Sequence, residues 1–357
     1  MNRRFPRMLM AAVAVLACLV QAPADAAEKK AFKMAWSIYA GFMPWVYADQ
    51  SGILKKWADK YGITIELTQF NDYIESINQF TAGEFDGVLA TNMDALTIPA
   101  AGGVDTTALI LGDYSNGNDA MVIKGAGKKL ADVKGLKVSL VELSVSHYLL
   151  TRALTSAGLS EQDVSTINIS DADYVPAWGT PETVAMVAWK PGLAQIEASP
   201  DASVVFDSSM IPGEIMDIGI VSTDTLKDNP AFGKALIGAW YETLAAMQGD
   251  SATAQDARTA MAEASGTDLA GYDTQLATTY LYYKPAEAVT FLRDPKLKTI
   301  MELVRTFAFE HGLLGEAAKS KDAIGIELPN GEILGDKANV KLRFNADYTG
   351  MAADGKL

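Results

Sequence analysis

From residue 31 to about residue 225, short apolar runs alternate with stretches whose apolar residues recur at helical spacing. Residues 32–37 read as a strand and 44–61 as helix; 64–69 as strand and 74–82 as helix; 87–90 as strand and 95–101 as helix, with 107–111 as a closing strand. A second series follows: strands at 120–124 and 137–141, a helix at 146–157, and strands at 165–169 and 184–189, the last with a helix after it. Residues 203–206 and 218–222 read as two further strands. Alternation of this kind predicts an α/β protein of parallel sheets covered by helices. After about Pro230 the pattern changes to long helices at 231–248, 251–265 and 295–311, interrupted by a tyrosine-rich stretch at 280–283 and packed around the first series. In the tail, Pro329-Asn330-Gly331 separates two short apolar runs and predicts a hairpin on an Asn-Gly turn.

The first residues carry Arg3, Arg4 and Arg7, then an apolar run at 8–20, then Ala24-Asp25-Ala26. This is the pattern of a secretory signal peptide, with cleavage expected after Ala26. The apolar run falls short of the about 20 residues that span a bilayer. Cys18, preceded by Val15-Leu16-Ala17, offers an alternative as a lipid-bearing terminus. It is the single cysteine of the chain, so cleavage at Ala26 leaves no disulfide, no thiolate metal site and no cysteine nucleophile. Export without disulfides suits a bacterial periplasm, and the length predicts roughly two domains. The formal net charge is −14, and loss of residues 1–26, with three arginines and Asp25, makes it more negative still. An acidic surface of this kind argues against nucleic acid and anionic membranes as partners, and fits a cationic or neutral ligand better than an anionic one.

The run Gly83-Glu84-Phe85-Asp86-Gly87-Val88, then Thr91-Asn92-Met93-Asp94-Ala95, then Gly135-Leu136-Lys137-Val138 and Ser146-His147-Tyr148-Leu149-Leu150, resembles the nitrate/sulfonate/taurine-type substrate-binding proteins of ABC transporters, a family that includes thiamine-precursor binders. The segments at 36–45, 91–96 and 112–120 look closest to its urea-binding branch associated with urea carboxylase, for which guanidinium is a credible ligand. The resemblance covers about residues 32–310 and rests on the order and spacing of motifs. It implies a type II periplasmic-binding fold, two α/β lobes joined by two crossover strands near 114–121 and 214–219 with a ligand cleft between them. Residues 1–26 would be the signal peptide, 27–115 with 218–357 the first lobe, and 116–217 the second. It also implies an ABC permease with its ATPase as partners, and a monomer.

In open parallel sheets a ligand sits beyond the carboxyl ends of the strands. That rule selects Trp36, Ser37 and Tyr39; Asn92 and Asp94; Asp113; Glu142, Ser144 and His147; and Trp189, Lys190 and Pro191. Carboxylates accept paired N–H groups in a fork geometry, and an aromatic face favours a cation, so the set suits a planar, donor-rich molecule. Asp94 and Glu142, one from each lobe, are the leading carboxylates; Trp36, Tyr39 and Trp189 are the leading aromatic walls. Asp119, in the first crossover, joins the candidates and is equally placed to order a turn. Asp94 and Ser144 are equally placed to cap helices, and Trp189 to sit in a core. Lys190 turned inward would favour an anion such as a sulfonate or nitrate, or a neutral pyrimidine; turned outward, it leaves a cation favoured.

The chain has two histidines, His147 and His311, too few for a typical zinc site, and no Gly-x-Ser-x-Gly or phosphate-loop motif. A cofactor-free binding protein, not an enzyme, is therefore expected, serving either a permease or a membrane sensor that reads lobe closure.

Overall fold

The computed structural model describes residues 29–357, so the expected signal peptide and Cys18 lie outside the described residues. Two sheets carry the fold. In the first, strands run in the order Ile333–Leu334, Gly325–Glu327, Val340–Phe344, Thr106–Ser115, Met216–Ser222, Gly87–Thr91, Ala31–Ser37 and Thr64–Phe70, with Thr279–Leu281 also pairing to Thr106–Ser115. In the second the order is Ser165–Asn168, Lys137–Leu140, Ala185–Trp189, Asp119–Lys124 and Ala202–Asp207. The chain passes from the first sheet to the second through residues 116–118 and returns through 208–215.

The sheets are mixed, which corrects the expectation of parallel ones. Met216–Ser222 runs antiparallel to both of its neighbours, and so does Asp119–Lys124. The reason is topological. Most strands of each sheet end at the seam between the sheets, whereas a strand that has just crossed the seam must start there and run away from it. The two strands that follow the crossings therefore bring Asp119, the first residue of one, and Asp217, the second of the other, to the seam where most of the others bring their last.

Helices are placed by local chemistry. Asp72 accepts the Glu75 amide at 2.8 Å and starts Tyr73–Thr81. The expected helix at 44–61 is two, Pro44–Gln50 and Ile53–Lys60, because Gly52 takes the left-handed conformation between them (φ 78°). Pro230 opens the long apolar helix Pro230–Met247, which lies against both of these. Trp45 of the first stacks on Trp240 of the long helix, with centroids 5.4 Å apart. Both rings are buried, and a fully buried large apolar side chain stabilises by roughly 1.5–3 kcal/mol. The hairpin at Asn330-Gly331 forms as read, Gly325–Glu327 pairing antiparallel with Ile333–Leu334. Among the described residues no helix is long and apolar enough to cross a membrane.

Candidate ligand site

A small cavity lies at the seam. The first sheet and its helices contribute Ser37, Tyr39, Phe42, Tyr73 and Thr91; the second contributes Asp119, Val145 and Trp189; the returning crossover contributes Ile215 and Asp217. About 20 Å³ is open to the centre of a water-sized sphere, which is room for one or two waters or a ligand of a few non-hydrogen atoms.

Its aromatic walls are held stiffly. The edges of Tyr73 and Tyr174 clamp Trp189, with centroids at 5.5 and 5.2 Å and interplanar angles of 74° and 81°. Phe42 meets Tyr39 edge-on at 5.0 Å. Rings braced in this way present fixed faces, which attract cations.

The ionisable groups of the cavity are carboxyls, set among the hydroxyls of Ser37, Tyr39, Tyr73 and Thr91 and the indole of Trp189. Asp119 and Asp217 line the cavity, and Asp113 is fully buried beside them, accepting the Tyr39 hydroxyl at 3.2 Å. Burial pushes Asp119 up to about 7, with the Ser115 hydroxyl opposing the shift and Asp94 adding to it. Burial is also the main cause of the raised values of Asp113 and Asp217; Asp217 is pushed up further by the charges of Asp113 and Asp119. One oxygen of Asp113 and one of Asp217 are buried with no donor from a neighbouring residue, and the two carboxyl groups are close enough to bond to each other when one of them holds a proton. Unpaired buried carboxylates cost several kcal/mol unless a proton or a cation neutralises them. Lys190 is buried nearby, but its ammonium donates to Thr278 Oγ1 at 3.1 Å and sits 3.6 Å from Glu197. It is committed to that pair, and among the described residues none of the three carboxylates has a salt-bridge partner.

Of the residues picked out by the strand-end rule, Ser37, Tyr39 and Trp189 line the cavity, and so does Asp119 from the first crossover. Trp36, Asn92, Asp94, Asp113 and Ser144 are buried but are not part of its lining. Trp36 precedes Ser37 on a strand, so it faces the opposite side of the sheet. Asn92 ties down the returning crossover: its amide donates to the Glu214 carbonyl at 3.2 Å and accepts the Met216 amide at 3.1 Å. Asp94 accepts the hydroxyls of Tyr73 and Thr91, each at 2.8 Å, and so holds Tyr73 in the wall; Thr91 caps the short helix that follows. Burial raises Asp94 to about 6 against these bonds. Ser144 caps Val145–Ser156.

Glu142 and His147 stand apart. His147 packs against Glu161 and His311, and half-buried Glu142 faces His147, not the cavity. The pairing of Asp94 with Glu142 across the seam is therefore replaced by Asp119 with Asp217. The strand before Glu142 lies two strands farther from the returning chain than the strand of Asp119 does. Asp217, Phe42, Tyr73, Thr91, Val145 and Ile215 were not among the expected residues. Asp217 had a signal: it is an acid inside the otherwise apolar run Met216-Asp217-Ile218-Gly219-Ile220-Val221.

A family profile described as the NMT1-like family matches residues 25–263. The chain is 23% identical over 191 residues to the taurine-binding periplasmic protein of Escherichia coli K12, a match spanning 51% of this chain and 58% of that protein's length. Among solved structures, the alkanesulfonate-binding protein of Xanthomonas axonopodis pv. citri bound to MOPS aligns with a TM-score of 0.66 and 17% identity, over 84% of this chain and 99% of that one. The periplasmic nitrate-binding protein of Synechocystis PCC 6803 aligns with a TM-score of 0.68 and 13% identity, over 92% and 89% respectively. At such identities the likeness is one of fold, and the fold is the periplasmic-binding fold.

Proposed function

This chain belongs to the NMT1-like family, and we propose that it is the periplasmic solute-binding component of an ABC importer whose ligand is a small, planar, nitrogen-rich cation of the guanidinium type. The two sheets are the cores of two lobes, residues 27–115 with 218–357 and residues 116–217. The lobes close over the ligand, and a permease with its ATPase reads the closed form of a monomer that catalyses no reaction.

The observation that carries the ligand class is the buried trio Asp113, Asp119 and Asp217, which among the described residues has no salt-bridge partner and only the charge of Lys190 acting on Asp119. A sulfonate or nitrate would meet like charge here, because Lys190 is engaged elsewhere. Guanidinium offers only N–H donors, and every carboxylate oxygen in the site is an acceptor. Urea would need a donor for its carbonyl oxygen as well, for which the lining offers the Ser37 hydroxyl and the Trp189 indole N–H. The aromatic walls favour an organic cation over a hydrated metal ion, and the cavity limits its size.

Calorimetry of the exhaustively dialysed mature protein against guanidinium, urea, taurine and nitrate tests the reading. Guanidinium is expected to bind at least tenfold more tightly than the other three. Binding of taurine or nitrate with no response to guanidinium would sink the ligand assignment and leave the fold untouched.

Gly41 gives a second test. A Cβ at this position would fall 2.2 Å from Asp113 Oδ2 and 2.7 Å from the Tyr39 ring, so Gly41→Ala must displace one or both. The expected result is about a tenfold or greater loss of guanidinium affinity, about 1.4 kcal/mol, with a cooperative melt retained. An unchanged affinity would take Asp113 and Tyr39 out of the site.

A further inference from the structure

His147, Glu161 and His311 converge at a second junction between the sheets, away from the cavity. His311 follows the helix Pro295–Glu310, which is tied to the first sheet's tail by the ion pair of Arg305 with Asp322 and by the Arg305 bond to the Lys321 carbonyl. Glu161 and His147 belong to the elements around the second sheet, in the turn Glu161–Asp163 and the helix Val145–Ser156. His311 Nε2 lies 2.9 and 3.0 Å from the two Glu161 oxygens, and His147 Nε2 lies 3.3 Å from one of them.

Two imidazoles and a carboxylate are the donor set of a zinc site, but the other ring nitrogens decide against one. A histidine that ligates through Nε2 carries its proton on Nδ1. His147 Nδ1 instead accepts the Leu143 amide at 3.1 Å, so that nitrogen is unprotonated and Nε2 carries the hydrogen toward Glu161. His147 is satisfied only as a neutral ring. His311 is the reverse case. Its Nδ1 faces the Phe307 carbonyl at 2.8 Å while its Nε2 faces the carboxylate, so both nitrogens need hydrogens. His311 is satisfied only as an imidazolium.

We infer that the His311–Glu161 pair is a proton-dependent latch that biases the ligand-free protein toward its closed form. The inference rests on the reading of the two sheets as lobes that move, and is independent of which ligand binds. With His311 protonated, a charge-assisted bond joins the lobes. With the proton gone, the positive charge is lost and one ring nitrogen turns a lone pair on an acceptor, the Phe307 carbonyl or the Glu161 carboxylate, so the contact weakens. The groups facing the pair are His147, which donates to Glu161; Thr151, whose hydroxyl donates to Glu161 at 2.5 Å; Glu142 beyond His147; and the Phe307 ring, stacked on His311 at 4.0 Å. Burial opposes ionisation of Glu161, but the Thr151 hydroxyl, the bond and charge of His311 and, last, the charge of His147 together hold its carboxyl below the usual value.

Small-angle scattering of the ligand-free mature protein at pH 6 and pH 8.5, for wild type, His311→Gln and Glu161→Gln, tests this in the presence of EDTA. Circular dichroism checks that each variant is folded. Wild type is expected to have the smaller radius of gyration at pH 6, by a shift that both variants lose, and to match them at pH 8.5. Comparison with the variants removes the response of the cavity carboxylates, which all three proteins share. Superimposable scattering from wild type and variants at both pH values would overturn the latch. A compaction of wild type that requires added zinc would overturn it in favour of a metal bridge.

Discussion

Asp217→Asn is expected to weaken guanidinium binding about 100-fold, about 2.7 kcal/mol, while raising the melting temperature of the ligand-free protein. The two effects have one cause. Asp217 is 4% exposed, has an oxygen with no donor from a neighbouring residue, and lies beside two other buried carboxyl groups. Without ligand it is a burden on the fold, and removing its charge relieves that burden. With a cation present, the same charge is the partner the ligand needs, and the loss exceeds that of an exposed ion pair because the carboxylate is buried. Asp119→Asn is expected to behave alike. Asp94→Asn is expected to differ, costing stability through its bonds to Tyr73 and Thr91 and affecting affinity only through the Tyr73 wall. Calorimetry and thermal melts on the same preparations measure both quantities. A variant at Asp217 that is less stable and binds as wild type would mean that the carboxylate serves the fold and not a ligand.

Raising the pH from 5.5 to 8 is expected to lower the stability of the ligand-free protein and strengthen its hold on guanidinium. The carboxyl groups of Asp119 and Asp94 are raised from 3.8 to about 7 and about 6, and those of Asp113 and Asp217 move in the same direction, all chiefly by burial. Each of these groups binds its proton more tightly in the folded state than in the unfolded state. The stability it contributes is therefore complete below the unfolded value and is lost as pH rises through the folded one. The window runs from 3.8 to about 7 for Asp119. For a chain of this size each kcal/mol lost lowers the melting temperature by roughly 2–4 °C. A bound cation competes with those protons, so binding releases them and tightens as they leave. Calorimetric enthalpies measured at pH 6 in buffers of different ionisation enthalpy should differ accordingly. Enthalpies independent of buffer, with affinity flat from pH 5.5 to 8, would show that no cation displaces protons from the trio.

Periodicity alone determined the class of fold and most of the elements. Alternation of period-2 apolar runs with 3.6-period stretches leaves little choice but helices on sheets, and Asn330-Gly331 between apolar runs specifies its own hairpin, because these signals are local. The strand-end rule also reached Ser37, Tyr39 and Trp189, which close strands or follow them at the seam, and Asp119 was legible in the crossover expected there. What sequence could not decide was direction. Whether a strand begins or ends at the seam depends on how the chain crosses between sheets, and that is a long-range property with no periodic trace. So Glu142, at a strand's end, was chosen over Asp217, at a strand's start, although the acid in an apolar run was visible. Tertiary structure likewise decided which way Lys190 turns. Thr278 lies far along the chain and Glu197 one helix on, and by taking its ammonium they leave three buried carboxylates with no direct salt bridge among the described residues.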